Sequence, residues 1–183
     1  TQGSDKTALS YHCVKFLTNY YQRQNYSTQF YFIVDRLELL QQAASEFRKR
    51  GLEVNEVNSR EEFISALQRA GNTDTTGKSL ITVVNIQKFS DESVATEPKF
   101  NVNIQRIYFI DEAHRGYKWD GSFLARLMKS DREAVMIALT GTPLIGEYKT
   151  RDTFGNYIHS YYYNQSIADG YTLRLIRQGI KLE

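Results

Sequence analysis

The sequence predicts an α/β domain built on a mainly parallel sheet with helices over both faces. Three observations lead there. Strand and helix signals alternate along the chain. The strand signals are near-continuous apolar runs, as strands buried on both faces require. Small, hydroxyl-bearing and acidic residues recur just beyond those runs, where an open α/β sheet binds its ligands.

The elements follow in order. Leu9, Cys13, Phe16, Leu17 and Tyr20 recur at helical spacing and predict a first helix with those residues as its apolar face. QFYFIVD, Gln29 to Asp35, is apolar and β-rich and predicts a buried strand. LELLQQAASEFRKR predicts an amphipathic helix stopped at Gly51, and LEVNEV a short strand. Ser59 with Glu62 three residues on forms a capping box for the helix EEFISALQRA. LITVV predicts a strand and NIQKF the start of a helix; NTDTTGKS and SDESVATEPKFN predict loops. QRIYFI and AVMIAL predict two further strands with the short helix GSFLARLMKS between them. A Tyr-rich segment, a helix near NQSIADG and a strand TLRLIRQGIKL complete the series.

Composition narrows the function classes. The 183 residues suit one domain with a sizeable core, and 41% apolar with 24% charged residues is a globular balance. A net charge of +2 favours no polyanion in bulk, so any basic surface must be local. The single Cys13 excludes an internal disulfide framework and fits a reducing compartment. No apolar run approaches the roughly 18 residues of a membrane span, so no membrane partner is expected. His12, His114 and His159 have no ligand spacing and predict no metal site; His12 reads as a packing or surface residue and Cys13 as a core residue of the first helix. The opening TQGSD reads as the middle of a motif, and a fragment of a larger multidomain protein is expected, with residues 1–183 as one domain.

Three stretches carry chemistry. In YFIDEAH, Tyr108 to His114, an apolar strand delivers two adjacent carboxylates to the sheet edge. Asp111 there suits a hydrated Mg²⁺, and Glu112 suits the polarisation of a water attacking a γ-phosphate. In ALTGTP a strand ends in Thr140, Gly141 and Thr142, whose hydroxyls suit a relay between a nucleotide site and another surface. The opening Gly3-Ser4-Asp5-Lys6-Thr7 resembles the end of a P-loop, in which backbone N–H groups wrap phosphates, the Lys pairs with them and the hydroxyl binds Mg²⁺. Asp5 stands where that loop has its second glycine. A carboxylate a few ångströms from a phosphate costs on the order of 4 kcal/mol at an effective dielectric near 20. A second stretch, Gly71 to Ser79, looks similar, but five residues separate its glycines where four are required, and it precedes its strand.

Taken in this order, GSDKT, DEAH and TGTP resemble motifs I, II and III of superfamily-two helicases and translocases. TQGS before Lys6-Thr7, IVDRLELLQQ, TVVNIQKF, DEAHRGY and FGNYIHSYYYNQSIADG are most similar to the motor subunit of type I restriction enzymes. That resemblance implies a RecA-like three-layer fold, ATP and Mg²⁺ as ligands and double-stranded DNA as the track. It implies phosphate binding by Gly3 to Thr7, Mg²⁺ held through Thr7 and Asp111, and Glu112 as catalytic base beside Asp111 and Lys6. His114, Thr140, Gly141 and Thr142 would couple ATP to DNA, and Arg36, Gln87 and Lys88 would approach the DNA backbone. The implied partners are methyltransferase and specificity subunits, with a second motor domain and a nuclease domain in the same parent chain, in a prokaryotic cytoplasm. Two other readings stand beside it: another superfamily-two DNA or RNA helicase, and a hydrolysis-deficient module that holds DNA or a partner. Asp5, in place of the family's glycine, favours the last; intact DEAH and TGTP oppose it.

Overall fold

The structure, a computed structural model, describes residues 4–68, 80–86, 89, 103–111, 127, 129–141, 154–160 and 162–170. The predicted helix opening in NIQKF at Gln87 and Lys88, both predicted loops and the strand TLRLIRQGIKL lie outside them.

Among the described residues five strands form one sheet in the order β2-β3-β1-β4-β5, every pairing parallel. They are β1 (Ser27–Val34), β2 (Glu53–Val57), β3 (Leu80–Asn85), β4 (Ile104–Asp111) and β5 (Val135–Leu139). Helices α1 (Ser4–Gln22), α2 (Leu37–Lys49), α3 (Arg60–Gln68) and α4 (Tyr163–Ala168) connect or flank them. This is the expected α/β class, a RecA-like sheet between helical layers. Among the described residues no helix is long and apolar enough to cross a membrane.

The continuous apolar strands serve two cores at once, because successive side chains point to opposite faces. Phe30, Phe32 and Val34 of β1 join Ile107 and Phe109 of β4 under Val14 of α1 and Leu40, Ala43 and Phe47 of α2. Tyr31 and Ile33 join Tyr108 and Ile110 on the other face, with Phe63, Ala66 and Leu67 of α3. Cross-strand partners Tyr31 and Tyr108 stack with centroids 4.9 Å apart.

Local signals act as their chemistry dictates. Helix α2 ends in a Schellman motif: Gly51 donates to Arg48 O at 2.9 Å and Leu52 to Phe47 O at 3.1 Å. Gly51 sits at φ +87°, which explains glycine as the stop. At α3, Ser59 Oγ accepts from the Glu62 N–H at 3.2 Å, as a capping box requires. The reciprocal bond is displaced by one residue: Glu62 Oε2 accepts from Asn58 N at 2.9 Å instead of from Ser59.

The first helix corrects one expectation. Leu9, Phe16 and Tyr20 are 51%, 68% and 49% exposed, so they are not the sheet-facing stripe. Thr7, Ser10 and Val14 are the buried positions, with Leu17 and Tyr21 packed against the same core. Cys13 packs half-buried beside them, and burial pushes its thiol pKa up. His12 is exposed.

At the amino end of the sheet lies a buried charge pair that sequence reading did not find. Arg106 donates from Nε to Asp131 Oδ2 at 2.5 Å and from Nη2 to Oδ1 at 2.9 Å. Tyr108 Oη donates to Asp131 Oδ2 at 3.1 Å. Burial opposes the Arg106 charge, but the hydrogen bond and charge of Asp131 more than offset it and raise the guanidinium's pKa. Burial, then the charges of Tyr31 and Asp131, hold the Tyr108 phenol well above its ordinary value of 10.0.

Two outcomes are expected. Asp131→Ala leaves a buried guanidinium uncompensated and lowers unfolding free energy by about 3–5 kcal/mol in urea titration. Because folding raises the Tyr108 pKa, the native state keeps a proton that the unfolded chain gives up near pH 10. Its contribution is therefore complete below about pH 10 and declines as pH rises further. Urea midpoints measured from pH 8 to 11 should show that decline, and Tyr108→Phe should flatten it.

Candidate nucleotide site

The sheet reverses its winding between β1 and β4. From β1 the chain leaves through α2 towards β2, and from β4 it proceeds to β5 on the other side. Such a switch point opens a crevice at the carboxyl ends of the two strands. Helix α1 packs on both β1 and β4. Its first turn reaches the crevice, as one contact demonstrates: Lys6 Nζ donates to Asp111 Oδ1 at 2.7 Å, across 105 residues of sequence.

Each side chain has a local reason to be there. Asp111 is the last residue of β4, set at the rim by the apolar run that buries the strand. Lys6 and Thr7 lie in the first turn of α1, where unsatisfied N–H groups and the helix dipole favour anions. Thr7 is 5% exposed and Ser10 fully buried, with Ser10 Oγ donating to Lys6 O at 2.9 Å. Ser10 is a local support that motif matching did not single out; its hydroxyl four residues after Lys6 was the available signal.

The third motif meets the same rim. Leu139 of β5 is registered opposite Asp111, so Thr140 follows directly beside it, and Gly141 is an exposed bend. Arg36 caps the start of α2 with extended backbone, exposed, just beyond the carboxyl end of β1. The neighbouring Asp35 keeps Oδ1 buried without a hydrogen-bond partner, as does Asn58 just after β2. Both follow strand ends, and sequence reading assigned neither a role. Gly3, Glu112, His114, Thr142, Gln87 and Lys88 lie outside the described residues, and Ser4 and Asp5 are described as helical backbone only.

The donor set fits a nucleotide with Mg²⁺. A cationic ammonium and a helix start suit phosphate, while a buried threonine hydroxyl and a carboxylate are the hard oxygen donors that Mg²⁺ takes. Among the described residues no cluster of three His, Cys, Asp or Glu could hold a metal on protein ligands alone, so a site here would draw on phosphate oxygens as well.

The sequence matches the family model of the SWI2/SNF2 ATPase over residues 1–181. The chain belongs to the SWI2/SNF2 ATPase family. No curated protein matches it. As a SWI2/SNF2 ATPase domain it is a superfamily-two, helicase-type ATPase domain, and a domain of that family would use ATP, usually with Mg²⁺.

Lys6 and Asp111 should stabilise each other. A double-mutant cycle with Lys6→Met and Asp111→Leu, read by urea unfolding in EDTA, is expected to give a coupling of about 1–3 kcal/mol. Strictly additive losses would mean that the contact contributes nothing.

Proposed function

We propose that this chain is the first motor domain of the ATP-dependent double-stranded DNA translocase subunit of a type I restriction enzyme. Residues 1–183 would form one motor domain of a longer chain that also carries a second motor domain and a nuclease domain. Methyltransferase and specificity subunits would be its partners, in a prokaryotic cytoplasm. The observation that carries the ATP-driven part is the Lys6–Asp111 contact, which unites the first and second motifs at one crevice. The restriction assignment draws on the phrases TVVNIQKF, DEAHRGY and FGNYIHSYYYNQSIADG.

The residues divide the work of phosphoryl transfer. Lys6 neutralises phosphate charge, and Thr7 with Asp111 would hold Mg²⁺, which supplies electrostatic stabilisation of the transferring phosphoryl group. Glu112 takes a proton from the attacking water. His114, Thr140, Gly141 and Thr142 relay the state of this rim to DNA, which Arg36, Gln87 and Lys88 approach through sequence-independent phosphate contacts. Asp5 favours a second reading, a domain that keeps the fold and binds DNA or a partner without hydrolysis.

DNA-stimulated ATP hydrolysis by the full-length protein separates the two. Hydrolysis that rises with double-stranded DNA, and falls steeply with salt, is expected. Glu112→Gln should abolish turnover while sparing ATP binding, and Asp5→Gly should bind ATP more tightly. Absent DNA-stimulated turnover, together with absent ATP binding in both wild type and Asp5→Gly, would establish the binding module instead.

A further inference from the structure

Helix α1 carries a second apolar line, turned outward. Leu9, Phe16 and Tyr20 stand seven and four residues apart, so they share one helix face, away from the buried Thr7, Ser10 and Val14. The Phe16 and Tyr20 rings stack with centroids 6.4 Å apart, so each is supported by the other while both stay exposed. The outer face of a helix that covers a sheet is ordinarily polar. Contiguous large apolar side chains there mark an interaction surface.

The charge beside that line has one sign. Lys15 is exposed next to Phe16, over the Tyr11 ring, and Arg23 is exposed just past the helix end. Among the described residues neither has a carboxylate partner. From Lys6 to Val34 the chain contains no Asp or Glu; the nearest in sequence are Asp5 and Asp35. A complementary occupant is therefore apolar along its centre and acidic at its margins.

Size and charge narrow the occupant further. From Leu9 to Tyr20 the line is about 16 Å long at the helical rise, and one helix is about 10 Å wide, a footprint on the order of 160 Å². A stable pairing of two folded copies needs roughly 800 Å² per partner. A second copy would also bring Lys15 and Arg23 against their own kind. Two cations are few for a nucleic-acid track, and Leu9 offers a base no ring to stack on. A single helix matches the strip in length and width, packing ridge into groove.

We propose that the outer face of α1 docks an acidic amphipathic helix of a partner protein, with Leu9, Phe16 and Tyr20 as apolar anchors and Lys15 and Arg23 pairing with its carboxylates. None of these five residues belongs to the crevice, so the surface stands independently of the ATP reading.

The probe is a fluorescein-labelled peptide about 18 residues long, enough to form a helix, with Leu along one face and Glu over the rest. Its binding to the full chain is read by fluorescence anisotropy. Saturable binding is expected, at least about tenfold tighter than that of a scrambled peptide of the same composition. Phe16→Ala, and separately Tyr20→Ala, should weaken it at least about tenfold, a loss of about 1.4 kcal/mol. Lys15→Glu with Arg23→Glu should lose the acidic peptide and prefer its Lys-for-Glu counterpart. Ile158→Ala, which trims an exposed apolar side chain outside α1, should leave affinity within about twofold. Circular dichroism checks that each variant is folded. No binding, equal binding of the scrambled peptide, an unchanged affinity in both aromatic variants or an equal loss in Ile158→Ala overturns the proposal. So does preferential binding of oligothymidine that Phe16→Ala removes, which would make the face a nucleic-acid surface. Self-association of the chain in sedimentation, abolished by Phe16→Ala, would assign the face to a second copy instead.

Discussion

The pairing of β1 with β4 is the constraint on which the rest depends. The two strands run in parallel register from Ser27 opposite Ile104 to Ile33 opposite Ile110. Because both are apolar on both faces, helices must cover both sides of them, and that requirement generates the three layers. The same pairing fixes the switch point, and the switch point decides where polar chemistry can sit. Asp111 reaches the rim because the strand beneath it is buried along its length.

Among the described residues a charge pair lies towards each end of β4, and the two pairs differ in exposure. At the amino end Arg106 and Asp131 are sealed in, and burial of that kind makes a pair permanent, since removing either partner leaves a charge without solvent. At the carboxyl end Lys6 and Asp111, in contact at 2.7 Å, keep a measurable opening to solvent. One pair holds the fold. The other lies at the rim of the proposed nucleotide crevice.

The five described strands, the α2 stop at Gly51 and the Ser59 cap were legible because each rests on local chemistry: apolar runs, a left-handed glycine, a hydroxyl at a helix start. The partnership of Lys6 with Asp111 was legible only through the joint presence of two motifs, since 105 residues separate them. The Arg106–Asp131 pair left one visible trace, a cation inside the apolar run QRIYFI; nothing local identified Asp131 as its partner. The displaced bond from Asn58 to Glu62 escaped as well, because a capping pattern fixes residue types and not which of two adjacent N–H groups is closer.

The misread face of α1 is consistent with the proposed site. A helix chosen only for packing would turn Leu9, Phe16 and Tyr20 to the sheet. This one turns Thr7 and Ser10 inward at its first turns and reserves Val14 for the apolar core below. Large apolar side chains at positions 7 and 10 would fill the crevice and remove both the buried threonine hydroxyl and the Ser10 bond to the Lys6 carbonyl. Polar residues thus occupy the buried positions of the first turns, where the hydrophobic pattern alone points elsewhere. Where pattern and burial disagree in this chain, the disagreement falls on the element that carries the proposed phosphate-binding residues.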